Sequence, residues 1–180
     1  MVVIQNYGEY NKKNLKFIGK GIHGKVYKIN EDKCIKIFKK NSYCKKELST
    51  LQMSQNNKHF PKIFQWGENY IVREYIDGIE LDKYLKNNPL TLELSEKLIE
   101  LYEALEAVGF KRLDIVLFHI FINKDGNLRL IDTARVMKEK TTYPKLLMDG
   151  LKKLGYKIEF INHVKILRSE LYERWITERK

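Results

Sequence analysis

Three glycines shape the segment 19–26, which reads Gly-Lys-Gly-Ile-His-Gly-Lys-Val. Gly19, Gly21 and Gly24 allow a sharp chain reversal in which backbone N–H groups stay open to a phosphate chain, and Val26 follows them. In dinucleotide-binding folds a similar glycine spacing opens a helix. Here the residues after the glycines alternate and include β-branched side chains, so the segment predicts a strand, a turn and a second strand. Such a hairpin is suited to cover the phosphates of a nucleotide.

A lysine and a glutamate follow the glycines at useful positions. Lys36 lies in the apolar stretch 33–38, and its isoleucine neighbours on both sides would point to the opposite face of a strand. Its ammonium group can therefore reach phosphate oxygens. Glu47 is the only acidic residue in the range 33–67, and it lies in the middle of a predicted helix. If that helix packs on the sheet, Glu47 neutralises Lys36. The alternative for both residues is an ordinary surface position.

Two carboxylates and a histidine form a second candidate group. Asp114 precedes an apolar run, and Asp132 ends another one, 128–131. A carboxylate at the end of a buried strand normally faces a cleft or a metal, because burying it unpaired is unfavourable. His119 lies between the two carboxylates. It is either a structural group or a third ligand for a metal or a phosphate.

The surrounding pattern predicts a small sheet with one helix, followed by a mainly helical region. Pro, Gly and Asn clusters and the apolar periodicity set the element boundaries. The predicted strands are 15–19, 25–30, 33–38, 60–67 and 70–75, with β-like pieces at 115–122 and 127–131. The predicted helices are 42–54, 81–86, a long one capped by Thr91 or Ser95 and ending near Val108, 143–154 and 160–177. Composition changes at Asp77-Gly78, so we expect an N-terminal lobe over 1–77 and a C-terminal lobe over 78–180.

Composition places further limits on the protein class. With 180 residues and 43% hydrophobic content, the chain can build a core without disulfides or structural metals. Cys34 and Cys44 fit no metal or disulfide spacing, which favours a reducing compartment. No leader peptide and no membrane span are expected, so we expect a cytoplasmic protein. The net charge of +11 is compatible with an acidic partner, namely nucleic acid, an anionic surface or a phosphorylated substrate, or simply with a solvated lysine-rich surface.

The ordered set of motifs resembles the protein-kinase fold. It consists of the glycine segment, Ile35-Lys36, Glu47, the segment 72–81, Asp114 with His119 five residues later, and Ile131-Asp132. The resemblance covers residues 15 to 135, and it implies a two-lobed α+β fold that binds ATP and Mg²⁺ or Mn²⁺. Only residues 133–180 follow Asp132. That short C-terminal region is similar to the small atypical kinases of the RIO type and their bacterial relatives.

The resemblance also implies a role for individual residues. Lys36 would bind the ATP phosphates and Glu47 would hold it, while Gly19, Gly21, Gly24 and Val26 cover the nucleotide. Asp114 corresponds to the catalytic aspartate, and Asp132 corresponds to the magnesium ligand, with His119 as its helper. The remaining implied contacts are the backbone of Glu74 and Ile76 to adenine and the side chain of Glu80 to ribose.

The sequence departs from the kinase pattern at several positions. His119 stands where an asparagine usually binds metal, and imidazole suits magnesium less well than an amide oxygen. Asp132 is followed by Thr133-Ala134 rather than Phe-Gly. Arg73 occupies the position that normally limits the back of the adenine pocket. The lysine that usually follows the catalytic aspartate is absent, and Lys111 or Arg135 is the candidate to replace it at the γ-phosphate.

Four functions follow as hypotheses. The first is a minimal Ser/Thr protein kinase, acting on an unknown protein or on itself. The second is a pseudokinase that keeps the nucleotide site as a scaffold or sensor. The third is a small-molecule kinase, for which the short C-terminal region leaves little room. The fourth is an RNA- or ribosome-associated role, which rests only on the charge and the RIO analogy.

Overall fold

The computed structural model describes residues 6–133, 136–137 and 140–178, and the described chain forms two compact units. The first unit takes the residues up to Asn56 together with Phe60–Asp77. The second takes Asn57–His59 together with the residues from Gly78 onward. An antiparallel sheet with one helix fills the first unit and helices dominate the second. The fold is therefore α+β with a kinase-like layout, as the sequence predicts.

The first unit is built on a five-stranded antiparallel sheet with the strand order β3-β4-β5-β7-β6. A separate pair, β1 and β2, precedes it and was not predicted. The elements in chain order are β1 (Asn6–Tyr7), β2 (Tyr10–Asn11), β3 (Lys16–Lys20), β4 (Gly24–Lys28), β5 (Lys33–Phe38), α1 (Asn41–Met53), β6 (Ile63–Trp66) and β7 (Tyr70–Glu74).

The two faces of this sheet are packed differently. Alternate residues of a strand point to opposite faces, so Ile35 and Ile37 of β5 join one buried cluster with Tyr27 and Val72. On the other face, Phe38 and Ile71 pack with Cys44 and Leu51 of α1. Helix α1 therefore lies against the face toward which the even-numbered residues of β5 project, and this face contains Lys36.

The second unit combines a three-stranded antiparallel sheet, in the order β10-β9-β8, with helices. Strand β8 was not predicted, because its three residues fall between the predicted strand 70–75 and the predicted helix 81–86, in the segment 72–81 that resembles a kinase hinge. The elements are β8 (Gly78–Glu80), α2 (Leu81–Tyr84), α3 (Leu92–Ala107), a 3₁₀ turn (Leu117–His119), β9 (Ile120–Asn123), β10 (Leu128–Leu130), α4 (Lys145–Lys153), α5 (Lys157–Leu167) and α6 (Ser169–Glu178).

Two predicted elements are wrong. The helix expected over 160–177 is two helices, because the chain leaves helical geometry at Arg168, whose Nε donates to Glu103 at 3.0 Å. The apolar stripe continues across the break and hides it from the sequence. The strand expected over 115–122 starts only at Ile120, after a 3₁₀ turn. Among the helices of the described residues, none has the length and apolar content that a membrane crossing requires.

Candidate functional site

The glycine segment forms the turn between β3 and β4, as predicted. The Gly21 N–H donates to the Gly24 carbonyl at 2.9 Å, which closes the turn. A Cβ at Gly24 would run into the carbonyl group of Ile37 on β5, so the sheet itself requires glycine there. A Cβ at Gly19 or at Gly21 would meet no described atom within 4 Å.

Gly19 and Gly21 are the two glycines that have neither a positive φ nor a described group within 4 Å of an added Cβ. The other eight of the ten glycines either have a positive φ or would place a Cβ against a neighbouring group. Those eight are Gly8, Gly24, Gly67, Gly78, Gly109, Gly126, Gly150 and Gly155. Among the described residues, neither the backbone angle nor a neighbouring group thus requires glycine at 19 or 21, although the register of β3 on β4 shifts between Phe17 and Gly19. A ligand that approaches the backbone closely would require glycine at both positions.

Lys36 and Glu47 form a buried ion pair. Lys36 Nζ lies 2.5 Å from Glu47 Oε2, and the two residues are 7% and 1% exposed. Strand β5 directs Lys36 toward α1, and Glu47 lies on the buried side of that helix beside Leu51. Val26 is the cross-strand partner of Lys36 on β4, which places the lysine next to the strand that follows the glycine turn. The predicted pairing is therefore present in the structure.

Arg73 shares the same glutamate, which the sequence did not predict. Its Nη1 lies 3.8 Å from Glu47 Oε1, and the residue is 5% exposed. Arg73 is on β7, the neighbour of β5, and projects to the same face as Lys36. One carboxylate therefore faces cations from two adjacent strands. A buried charge persists only with such partners, because desolvation alone would be strongly unfavourable.

The residues expected to contact adenine and ribose lie at the end of β7 and in β8. The Glu74 carbonyl accepts a weak hydrogen bond from Cys34 Sγ at 3.7 Å, and the Glu74 carboxylate accepts the Lys62 N–H at 3.1 Å. Ile76, two residues after the end of β7, is buried. Glu80 belongs to the second unit and forms an ion pair with Lys83.

Asp114 is held firmly within the second unit. Its Oδ1 accepts the N–H of Leu146 in the first turn of α4 at 2.5 Å, and its Oδ2 lies 3.2 Å from Arg112 Nη2. Asp114 is 9% exposed. Burial raises the pKa of this carboxyl group, while the Leu146 N–H and the Arg112 guanidinium act in the opposite direction. Nothing in the sequence indicated the contact between Asp114 and α4, because the donor is a backbone N–H group, which every residue type except proline carries.

His119 and Asp132 are brought together by the β9–β10 hairpin. The Ile131 N–H donates to the His119 carbonyl at 3.0 Å, and His119 Nε2 lies 4.0 Å from Asp132 Oδ2. Both side chains are partly exposed, at 32% and 28%. Lys111 is also exposed, whereas Arg135 and Ala134 lie outside the described residues.

The His119–Asp132 pair is compatible with a metal site that a bound nucleotide completes. The 4.0 Å separation is shorter than two Mg–ligand bonds of about 2.1 Å each. No cluster of three or more His, Cys, Asp or Glu side chains suited to a metal occurs in the part of the chain that the structure describes. Protein groups alone would thus leave a bound ion under-coordinated. Magnesium in nucleotide sites is normally held by one or two carboxylates together with phosphate oxygens and water, and Asp132 would supply such a carboxylate.

Comparison with known proteins gives one similarity of functional interest. No protein-family model matches the chain. Over 133 residues it is 26% identical to the "Putative serine/threonine-protein kinase YrzF" of Bacillus subtilis (strain 168). The matched region covers 71% of this chain, and it spans only 62% of the length of that relative. The similarity supports a kinase-like relationship for the chain.

Proposed function

We propose that the protein is a minimal kinase that transfers the γ-phosphoryl group of ATP to a Ser or Thr hydroxyl of a protein. The acceptor oxygen forms the new bond to phosphorus as the bond to ADP breaks. Catalysis of this reaction consists mainly of positioning and charge neutralisation. The two candidate groups of this chain, one in each unit, supply the side chains that these tasks require.

In this proposal the segment 1–77 binds the nucleotide. Backbone N–H groups at Gly19 and Gly21 approach the phosphates, where a side chain would interfere. Lys36 binds phosphate oxygens, and Glu47 fixes the direction of its ammonium group. The backbone of Glu74 and Ile76 would hold adenine, and the resemblance to kinases gives Glu80 as the ribose contact.

The segment 78–180 would supply the catalytic and metal-binding groups. Asp132 and His119 would hold Mg²⁺ or Mn²⁺, which neutralises phosphate charge when bound. Asp114 orients the acceptor hydroxyl and takes its proton. The buried position of Asp114 raises the pKa of its carboxyl group, which makes the carboxylate a stronger base. Its bonds to α4 and Arg112 keep the group in one orientation.

One observation carries the proposal: a buried Lys36–Glu47 pair adjoins a glycine turn in which neither the backbone angle nor a neighbouring group requires Gly19 or Gly21. The test is magnesium-dependent transfer of label from γ-³²P-ATP to the protein itself and to a mixture of Ser- and Thr-containing peptides. We expect transfer by the wild type and its loss in Lys36→Met. Equal transfer by a folded Lys36→Met variant would contradict the proposal.

A nucleotide-binding module without turnover is the second candidate, and the position of Asp114 favours it. With 9% exposure and with both oxygens engaged, this carboxylate has a structural task as well. Titration calorimetry with ATP and Mg²⁺, followed by an assay for ADP, separates the two functions. Binding without ADP production selects the module, and binding with production selects the kinase.

A further inference from the structure

The positive charge of this protein is concentrated at one end of the chain. The first 46 residues contain twelve lysines and three acidic residues, a formal charge of +9 out of the total of +11. The remaining 134 residues are therefore close to neutral. A charge distribution of this kind produces a local positive field rather than a uniformly basic surface.

Four exposed lysines of this segment lie around the glycine turn, and we call them the basic tip: Lys20, Lys25, Lys39 and Lys40. Lys20 and Lys25 are cross-strand partners on β3 and β4. Lys39 is tied to the turn itself, because its N–H donates to the His23 carbonyl at 2.9 Å. Lys40 is the residue from which α1 starts. The turn and the start of α1 therefore present these ammonium groups at one end of the sheet.

The protein does not neutralise the basic tip itself. Within the described ranges, none of the four lysines forms an ion pair, and the first turn of α1 contains no acidic residue. Glu68 is the one carboxylate in the turns at this end of the sheet, between β6 and β7, and it forms no described ion pair with them. Like charges held this close repel each other, so the arrangement favours an anionic partner.

The chemistry around the basic tip favours an acidic peptide over a nucleic acid. Single-stranded nucleic acids bind through aromatic side chains on which bases stack, combined with basic groups. The exposed apolar residue at the turn is Ile22, which is 73% exposed and has no ring. The rings of His23 and Tyr43 at this end are partly buried and pack against each other, with centroids 4.2 Å apart. The exposed ring of Trp66 is on β6, the edge strand opposite β3. Phe17 is the exposed aromatic residue of β3, and its ring packs edge-on against Tyr27 in the apolar cluster of the sheet.

We propose that the basic tip binds an acidic segment of the protein substrate, so that the phosphorylated Ser or Thr is flanked by Asp and Glu. The part of this inference that concerns substrate selection rests on the proposed function. The binding itself does not require catalysis and is measured separately.

The experiment compares two variants with the same loss of charge. The tip variant replaces the four lysines of the basic tip with glutamine, K20Q/K25Q/K39Q/K40Q. The control variant replaces four exposed lysines elsewhere in the chain, K13Q/K62Q/K86Q/K124Q. Fluorescence anisotropy measures binding of a labelled Ser-containing peptide rich in Asp and Glu, of its Lys-substituted counterpart and of a single-stranded RNA of equal charge. Where phosphoryl transfer occurs, the peptide KM and kcat are measured as well.

We expect the wild type to prefer the acidic peptide, and the tip variant to lose at least about tenfold in its affinity for that peptide. The control variant should keep its affinity for the acidic peptide within about twofold of wild type. Equal losses in the two variants, or tighter binding of the RNA than of the acidic peptide, would overturn the inference. A wild type that binds the peptide but never consumes ATP would refute the proposed function and leave the basic tip as a binding site.

Discussion

Replacement of Glu47 by Gln tests whether one carboxylate holds the first unit together around Lys36. Gln keeps the shape of the side chain but removes its charge. Lys36 Nζ is 2.5 Å from this carboxylate and Arg73 Nη1 is 3.8 Å from it, and both cations are more than nine-tenths buried. Breaking a buried ion pair by removing one partner destabilises a protein by about 3–5 kcal/mol. We expect Glu47→Gln to lower the free energy of unfolding by an amount in this range.

The size of this effect matters because it approaches the whole stability of an ordinary domain, about 5–15 kcal/mol. Lys36→Met should be milder than Glu47→Gln, since the carboxylate then still faces Arg73. Arg73→Met should be less destabilising in the Glu47→Gln background than in the wild type. In that background the Glu47 charge is already gone, so the substitution no longer breaks an ion pair and instead removes a cation that lacks this partner. Urea unfolding followed by circular dichroism measures these differences in unfolding free energy. The dependence of the unfolding free energy on urea concentration should be the same for all variants.

Two results would refute this reasoning. One is a Glu47→Gln variant within about 1 kcal/mol of the wild type, which would mean that the pair is solvated or not formed. The other is a larger loss from Lys36→Met than from Glu47→Gln. Additivity of the Arg73→Met and Glu47→Gln effects would remove Arg73 from the coupled group while leaving the Lys36 contact in place.

Three further predictions concern the turn, a buried histidine and the catalytic candidate. Gly21→Ala should leave the unfolding free energy unchanged or raised by up to about 1 kcal/mol while weakening ATP binding in calorimetry, whereas Gly24→Ala should lower the melting temperature; an unchanged ATP affinity in Gly21→Ala would contradict the phosphate contact. Burial lowers the pKa of His59, whose Nδ1 donates to the Leu128 carbonyl at 2.9 Å, so stability is full above about pH 6.5 and falls as pH drops below it. His59→Asn should abolish that pH slope in urea unfolding, and a slope equal to wild type would show that another group titrates. Asp114→Asn should lower kcat at least about 100-fold with an unfolding free energy within about 2 kcal/mol of wild type, measured by labelled-phosphate transfer and urea titration; unchanged turnover would assign Asp114 a structural role alone.

The sequence was sufficient for the parts of the fold that depend on local periodicity. Strand β5 alternates, so the side on which Lys36 lies follows from the pleat once Ile35 and Ile37 are buried. The cap of α3 was narrowed to Thr91 or Ser95, and in the structure the Thr91 hydroxyl accepts the Leu94 N–H as an N-cap residue should. In both cases the deciding information lies within a few residues of the position.

The parts that were not predicted depend on distant partners. Arg73 was noted as unusual in the sequence, but its contact with Glu47 arises only when β7 lies beside β5 and α1 packs on both. The contact of Asp114 with the N–H of Leu146 joins positions 32 residues apart through a backbone group, which leaves no trace in residue types. The break at Arg168 was missed because the apolar stripe of α5 and α6 stays in phase across it.

The central claim is that phosphoryl transfer requires both Lys36 and Asp132. The most direct measurement is the rate of magnesium-dependent γ-³²P transfer for the wild type, Lys36→Met, Asp132→Asn and the double variant, each shown to be folded by circular dichroism. The account predicts that each single change lowers the rate at least about 100-fold and that the double variant loses little more, since groups acting as a unit are not additive. A folded Asp132→Asn protein that transfers phosphate as fast as the wild type would contradict it.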